Sequence, residues 1–390
     1  MMEDSKFQRT LSLKNSIYLG VSSMIGAGLF NNLAPTSKIS SYSTIYALLF
    51  ASTLAIANAS SSAQLAANFP QTGGTYLYAK HVLGKGYGAL AGIVFIVGKT
   101  ISCIAIALTL GNYLSIAYSK ELAALFSIIV FLLGYFGIHK TVKLAKWLVL
   151  ILFSILLFYS VSILTTQNLN LNIQLSQGFS FETFLLSSAI WFFSFTGYSR
   201  LATFGEEIQE PEKIIPKAIG IGLGITIFVY IVINWLTLSI LNPNIIANVN
   251  TPLRLAMDVS NFSEFSFLIG FGSSIAMFSV FLALMPGISR IYVAMARDGF
   301  LPVSFSKIHS KNNSAYFSEI VVLLFVLIGI YSLDVIPAIK LSSFFILIYY
   351  SITNLCVLKL SNNQRIYPKN IALYGFVVCI LLAFVLLIYQ

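Results

Sequence analysis

The stretch Ser22-Ser23-Met24-Ile25-Gly26-Ala27-Gly28-Leu29-Phe30 decides how this chain is read. It lies inside an apolar run over 13–34. A run of that length crosses the roughly 30 Å hydrocarbon core of a bilayer as a helix. Yet two glycines stand near its middle. Each lowers helix propensity by about 1 kcal/mol relative to alanine and admits close approach to the backbone. A second run, 181–205, carries Phe193-Ser194-Phe195-Thr196-Gly197-Tyr198-Ser199 near its middle, again a glycine among small polar residues. A helix unwinds in lipid only where its freed N–H and C=O groups meet a cavity or a ligand.

Outward from these two stretches the pattern repeats. Apolar runs cover roughly 13–34, 41–66, 84–118, 121–138, 145–165, 181–205, 214–241, 263–296, 316–333, 336–358 and 370–389. The expectation is an all-α polytopic membrane protein of about eleven spans, folded as one domain over 1–390. Composition agrees. The chain is 57% hydrophobic and 9% charged, against about 25% charged in soluble domains, and its mean hydropathy is +0.87. Runs 316–333 and 336–358 are parted by little more than Leu333-Asp334-Val335, which predicts a tight helical hairpin.

The formal net charge is +10. Lysines and arginines fall in short flanks between apolar runs, which marks membrane topology rather than nucleic-acid binding. With the N-terminus in the cytoplasm, 17 of the 23 fall on the inside and 4 on the outside. This predicts a cytoplasmic N-terminus and, with an odd number of spans, Gln390 outside. No cleavable signal-peptide pattern precedes the first run. All 13 acidic residues lie in tails, loops or span ends, so no relay of mid-membrane carboxylates is visible. Cys103, Cys356 and Cys379 sit within apolar runs without disulfide or metal spacing.

The two interrupted runs are five apart, as inverted repeats over 13–165 and 181–358 require, with 370–389 as an additional helix. Interrupted segments at matching places of two halves point to a transporter's binding site. The N–H groups and positive dipole end after Gly26 suit a carboxylate. Carbonyls freed around Met24, Phe193 and Thr196 suit an ammonium. A zwitterion satisfies both. The candidate substrate residues are Ser23, Met24, Ile25, Gly26, Ala27, Gly28, Phe193, Phe195, Thr196 and Gly197.

At this point the motifs resemble a known family. Ile25 to Phe30 is similar to the first-helix signature of the amino acid–polyamine–organocation superfamily. Pro70-Gln71-Thr72-Gly73-Gly74-Thr75-Tyr76 resembles its proline–diglycine–aromatic loop. Phe195-Thr196-Gly197-Tyr198 through Glu206-Glu207, Pro211 and Pro216 resembles its sixth helix and following loop, and Arg290 with Ala294 to Pro302 the end of its eighth. The four occur in family order over about 13–358. The resemblance implies the leucine-transporter-like fold of five plus five inverted repeats, amino acid transport in the plasma membrane, and an aromatic lid near Phe193, Phe195 and Tyr198. Three features depart from the family. It usually has twelve or more spans. Some members carry a proton-coupling lysine deep in the fifth helix, where Leu152 or Phe153 falls here. Ala27 stands where some relatives have a hydroxyl.

Lys99 is the most unusual residue, roughly 22 Å into the third run at 1.5 Å per residue. Its charge there costs at least about 2.5–3.5 kcal/mol on insertion scales. It is read either as an ion-coupling group facing the unwound region or as a structural lysine on backbone carbonyls. Ser273 and Ser274 are candidate sodium ligands, with helix–helix hydrogen bonding as the commoner use of membrane serines. Tyr198, Arg200, Glu206 and Glu207 are candidate gating residues, with Arg200 and Arg290 as partners of the glutamates. Gly220, Gly222 and Gly224 read as a packing face. No cofactor is expected, only a proton or sodium as coupling ion.

Other classes find little support. All three histidines (His81, His139, His309) lie in predicted loops, and no His-Glu-x-x-His, paired mid-span aspartates or phosphate-binding loop occurs. An amino acid exchanger and a transporter-like sensor without turnover remain as alternatives. Without mid-span carboxylates the expected substrate is a neutral amino acid, although Lys99 and Arg200 leave room for an acidic one.

Overall fold

Two helices stop in mid-course. In the computed structural model, which describes residues 9–135, 138–166, 169, 179–309 and 314–389, α1 (Leu13–Met24) ends at Ile25-Gly26 and the chain resumes as α2 (Ala27–Asn31) and α3 (Leu33–Ser40). After α4 (Thr44–Asn68), α5 (Gly74–Val82), α6 (Lys85–Leu114), α7 (Ser119–Tyr135) and α8 (Ile138–Leu164), the second interruption separates α9 (Phe181–Phe195) from α10 (Ser199–Thr203). There follow α11 (Pro211–Ile240), α12 (Pro243–Ile246), α13 (Pro252–Asp258), α14 (Phe267–Arg297), α15 (Tyr316–Ser332), α16 (Val335–Lys359) and α17 (Lys369–Ile388). Lys6, Gly137, Lys311 and Gln390 lie outside the described residues, as do the side chains of His139 and Lys140.

Among the described residues there are seven helical stretches long and apolar enough to cross a membrane, from Leu33–Asn68 to Lys369–Ile388, and two shorter apolar helices, Phe181–Phe195 and Tyr316–Ser332. The sequence predicts eleven. The first and sixth runs fall short as single helices because their glycine breaks divide them. Most other predicted boundaries lie within a few residues of the helices. The exception is the fifth run, which begins at Ile138 rather than 145. The helices α5, α12 and α13 were not foreseen. The first of these starts where Gly73 (φ 135°) and Gly74 (φ 51°) turn the chain in the left-handed region, which glycine enters without a Cβ penalty. The predicted hairpin is present, with Leu333-Asp334 alone between α15 and α16.

The broken pair forms the centre. The first leg, α1, packs against α8, α11 and α14; α9 packs against α3, α4, α16 and α17; and α6 lies across α14 and α16. The outer faces are apolar and exposed, as at Leu157 (67%), Phe228 (68%), Ile328 (64%) and Phe384 (57%). Such continuous apolar surface has no place in water and suits lipid tails. Several buried polar groups are paired between helices. The Asn354 Nδ2 donates to Asn58 Oδ1 at 2.6 Å, and Trp191 Nε1 donates to Thr44 Oγ1 at 2.9 Å. Of the three glycines of α11, Gly222 alone meets a neighbour, Met24 and Val21, while Gly220 and Gly224 face open space. The predicted packing face is therefore a single contact.

Candidate functional site

The two breaks meet each other, and glycine is what lets them. A Cβ at Gly197 would stand 2.1 Å from the Ser23 carbonyl oxygen, one at Gly28 2.3 Å from Ser194 Oγ, and one at Gly26 2.4 Å from Val280 Cγ2. The first of these obstacles is backbone and cannot swing aside.

Side chains from distant helices take up most of the backbone groups freed by the breaks. The Ser23 hydroxyl lies 2.7 Å from the Gly20 carbonyl and 3.0 Å from that of Gly197. The Tyr230 hydroxyl, from α11, donates to the Met24 carbonyl at 2.7 Å and lies 3.2 Å from that of Ser194. Asn32 Nδ2 donates to the Ile190 carbonyl and Ser194 Oγ, both at 2.9 Å. Lys99, 2% exposed, reaches from α6 and donates to the Thr196 carbonyl at 2.7 Å. Of the three carbonyls the sequence reading offered to an ammonium, those of Met24 and Thr196 are thus engaged by side chains, and that of Phe193 accepts from the Thr196 amide and hydroxyl. The N–H groups of Ala27 and Gly28 open α2 and have no intrahelical acceptor.

Between the breaks lies a cavity of about 20 Å³, room for a single water. Seven of the ten expected substrate residues line it: Ser23, Met24, Ala27, Gly28, Phe193, Thr196 and Gly197. Three do not. Ile25 is buried away from it, Gly26 is closed off by Val280, and Phe195 packs on Tyr230 with ring centroids 5.3 Å apart. The rest of the wall is Ser102 and Ile106 of α6, Ser194 of α9, and Val280 and Leu284 of α14. Sequence reading missed these five, as well as Tyr230 and Asn32, because a serine or valine in a regular helix carries no local signal of what it faces. Tyr198, fully buried, packs on Tyr350 with ring centroids 5.2 Å apart and the rings tilted by 30°.

The end of the bundle that carries the N-terminus is closed in layers. Thr10 and Leu11 donate their amides to the Glu207 carbonyl, and the Gln209 amide returns to the Leu11 carbonyl at 3.0 Å. Beneath, Arg290 Nε pairs with Glu207 Oε1 at 3.0 Å, the side chains 1% and 0% exposed, with the guanidinium 5.2 Å over the Phe204 ring. Glu319, 2% exposed overall, lies 4.0 Å from Arg290 and accepts from Ser289 and Ser314. Arg297 pairs with Glu206 at 3.5 Å, and Lys80 with Asp298 at 2.7 Å, where Tyr76 also donates. Burial pushes the Asp298 carboxyl up, but the bonds from Lys80 and Tyr76 outweigh this and hold it below the usual carboxylate range.

Arg200 is a correction. Expected as a partner of Glu206 and Glu207, it is 3% exposed and turns into the bundle, donating to the Val280 carbonyl at 3.4 Å. Arg290 of α14, the other expected partner, takes Glu207, and Arg297 of the same helix takes Glu206. Ser273 and Ser274 are not brought to the cavity between the breaks. Both hydroxyls donate to the Gly270 carbonyl of their own helix. Of α14, Val280 and the Ala276 carbonyl stand beside Gly26.

At the opposite end a cavity of about 600 Å³ stands open, lined by residues of α2, α3, α6, α7, α9 and α16, by 247–250 and by Asp334. Among its polar groups are Lys38, Asn112, Lys120, Asn250, Asp334 and Lys340.

Two broken helices crossing at a small central cavity, sealed toward one end and facing a wide opening at the other, define a multi-pass membrane transporter. Residues 16–389 match the amino acid permease family model, and the chain belongs to that family. It is 35% identical to an uncharacterised transporter of Mycobacterium tuberculosis over 98% of this chain and 87% of the relative. It is 25% identical to a vacuolar cationic amino acid transporter of Arabidopsis thaliana over 90% and 63% of the two chains. It is 23% identical to the branched-chain amino acid permease BcaP of Bacillus subtilis over 80% and 72%.

Proposed function

We propose that this protein is a secondary transporter of neutral amino acids that works by alternating access around the two broken helices. In this reading it forms eleven spans in the plasma membrane, ten of them as two inverted five-helix repeats, with the N-terminus in the cytoplasm and the C-terminus outside. The observation that carries it is the junction itself: Gly28 against Ser194 and Gly197 against Ser23, around a cavity whose walls hold hydroxyls and apolar side chains and no charged residue. The amides of Ala27 and Gly28 take the substrate carboxylate. Its amine lies toward the carbonyl ends of α1 and α9, and its side chain toward Ile106, Phe193, Val280 and Leu284. The cavity is smaller than an amino acid, so substrate enters as the broken legs move apart.

The layered pairs at Glu206, Glu207, Arg290 and Arg297 serve as the inner gate, and the wide opening as the outer vestibule. Lys99, held on the second break, is the residue through which a coupling proton would act. Sodium is the other coupling ion to test. Uptake of labelled alanine, leucine, glutamate and lysine into proteoliposomes, with and without inward proton or sodium gradients, tests the reading. Accumulation of a neutral amino acid supports it, and dependence on one gradient names the ion. Uptake that requires amino acid inside would mark an exchanger. Binding without uptake would replace transport by sensing.

A further inference from the structure

We infer that Lys99 and Arg200 form a charge filter that excludes cationic amino acids from the central site and admits those that are neutral or anionic. The inference rests on the amino acid transport reading and adds which residues set its selectivity. Both side chains are almost wholly buried, at 2% and 3% exposure. Each is anchored on a carbonyl of a residue that lines the central cavity, Lys99 on Thr196 at 2.7 Å and Arg200 on Val280 at 3.4 Å. The two come from different elements, Lys99 from α6 and Arg200 from α10, the second leg of the second break.

Their countercharge distinguishes them from every other buried cation described. Arg290 has Glu207 at 3.0 Å, whereas among the described residues no carboxylate lies within 4.0 Å of Lys99 or Arg200. Nor does any carboxylate line the cavity. The potential in the site is therefore set by Arg200 throughout, and by Lys99 whenever it holds its proton, against neutral hydroxyls and carbonyls. Arginine keeps its charge in proteins, so at least one of these charges is permanent. A unit charge about 10 Å away, at an effective dielectric of about 20, changes binding of a charged side chain by roughly tenfold. A lysine or arginine substrate loses by that factor for each cation, and a glutamate or aspartate gains. The carboxylate shared by every amino acid is favoured as well, which offsets part of the cost of burying the two cations.

The experiment is competition. Uptake of the best-transported labelled amino acid by the full-length protein in proteoliposomes is measured against unlabelled lysine, arginine, leucine and glutamate. The unsubstituted protein, Lys99→Gln, Arg200→Gln and the charge-retaining Lys99→Arg are compared. The readout is the ratio of the inhibition constants of lysine and leucine within each protein. A general loss of folding or rate does not move that ratio. The expected result is weak competition by lysine and arginine in the unsubstituted protein. The ratio should fall roughly tenfold in each glutamine variant and stay unchanged in Lys99→Arg. Lysine competing as well as leucine in the unsubstituted protein overturns the filter alone, as does a ratio indifferent to both glutamine substitutions. No uptake or binding of any amino acid, whatever its charge, overturns the filter together with the function it serves.

Discussion

Gly197 shows most directly how one residue carries the architecture. Its missing Cβ is the space occupied by the Ser23 carbonyl at 2.1 Å, and that contact is where the two broken helices touch. Gly197→Ala must push one break off the other. Overpacking of this kind costs typically 1–3 kcal/mol, and the displaced backbone belongs to the cavity wall. The expected outcome is a protein that still inserts but melts several degrees lower and retains less than a tenth of the uptake rate. Gly224→Ala, on a residue with open space around it, is the control and should match the unsubstituted protein in both. Equal uptake by the two variants would show that the breaks do not depend on this contact.

At the scale of elements, the latch between α5 and the end of α14 has a pH dependence whose sign follows from Asp298. Its carboxyl is held below the usual range by Lys80 and Tyr76. A depressed carboxylate contributes stability that is present above the unfolded value, about 4, and is lost as pH falls through the lower folded value. The latch is therefore intact at neutral pH and slips only in strong acid. The pair is partly open to solvent, with side chains 20% and 30% exposed, so its contribution is small. Melting temperatures of Asp298→Asn and the unsubstituted protein should differ modestly at pH 7 and converge toward pH 3. A gap that persists or widens in acid would contradict this assignment. The Arg290–Glu207 pair behaves differently, because both side chains are under 2% exposed, and breaking a buried pair costs far more than breaking an exposed one.

For the whole molecule the question is which end faces which side of the membrane. All three native cysteines are buried, so single introduced cysteines report access without a cysteine-free background. Asn250→Cys lies on the wide opening, and Lys85→Cys is exposed at the start of α6. In intact cells a membrane-impermeant maleimide should label Asn250→Cys and leave Lys85→Cys unlabelled until the membrane is permeabilised. The reverse pattern would invert the proposed orientation and make the open cavity an inward vestibule.

Much of this protein was legible in its sequence, because a bilayer imposes a length and a polarity on whatever crosses it. The apolar runs, the breaks at Gly26 and Gly197, the 316–358 hairpin and the family motifs all depend on residues close together in the chain, and the helices begin and end near where those residues predict. Lys99 stood out for the same local reason, a charge at a depth where charges are costly. What the sequence could not determine is which distant side chain meets which freed backbone group. Tyr230 on the Met24 carbonyl, Arg290 rather than Arg200 on Glu207, and Val280 rather than Ser273 beside Gly26 are matters of helix rotation and crossing. Rotation about a helix axis changes every partner while leaving the hydrophobic pattern of a lipid-embedded helix almost unaltered. Only the packed tertiary structure, where each neighbour excludes the alternatives by volume, decides them.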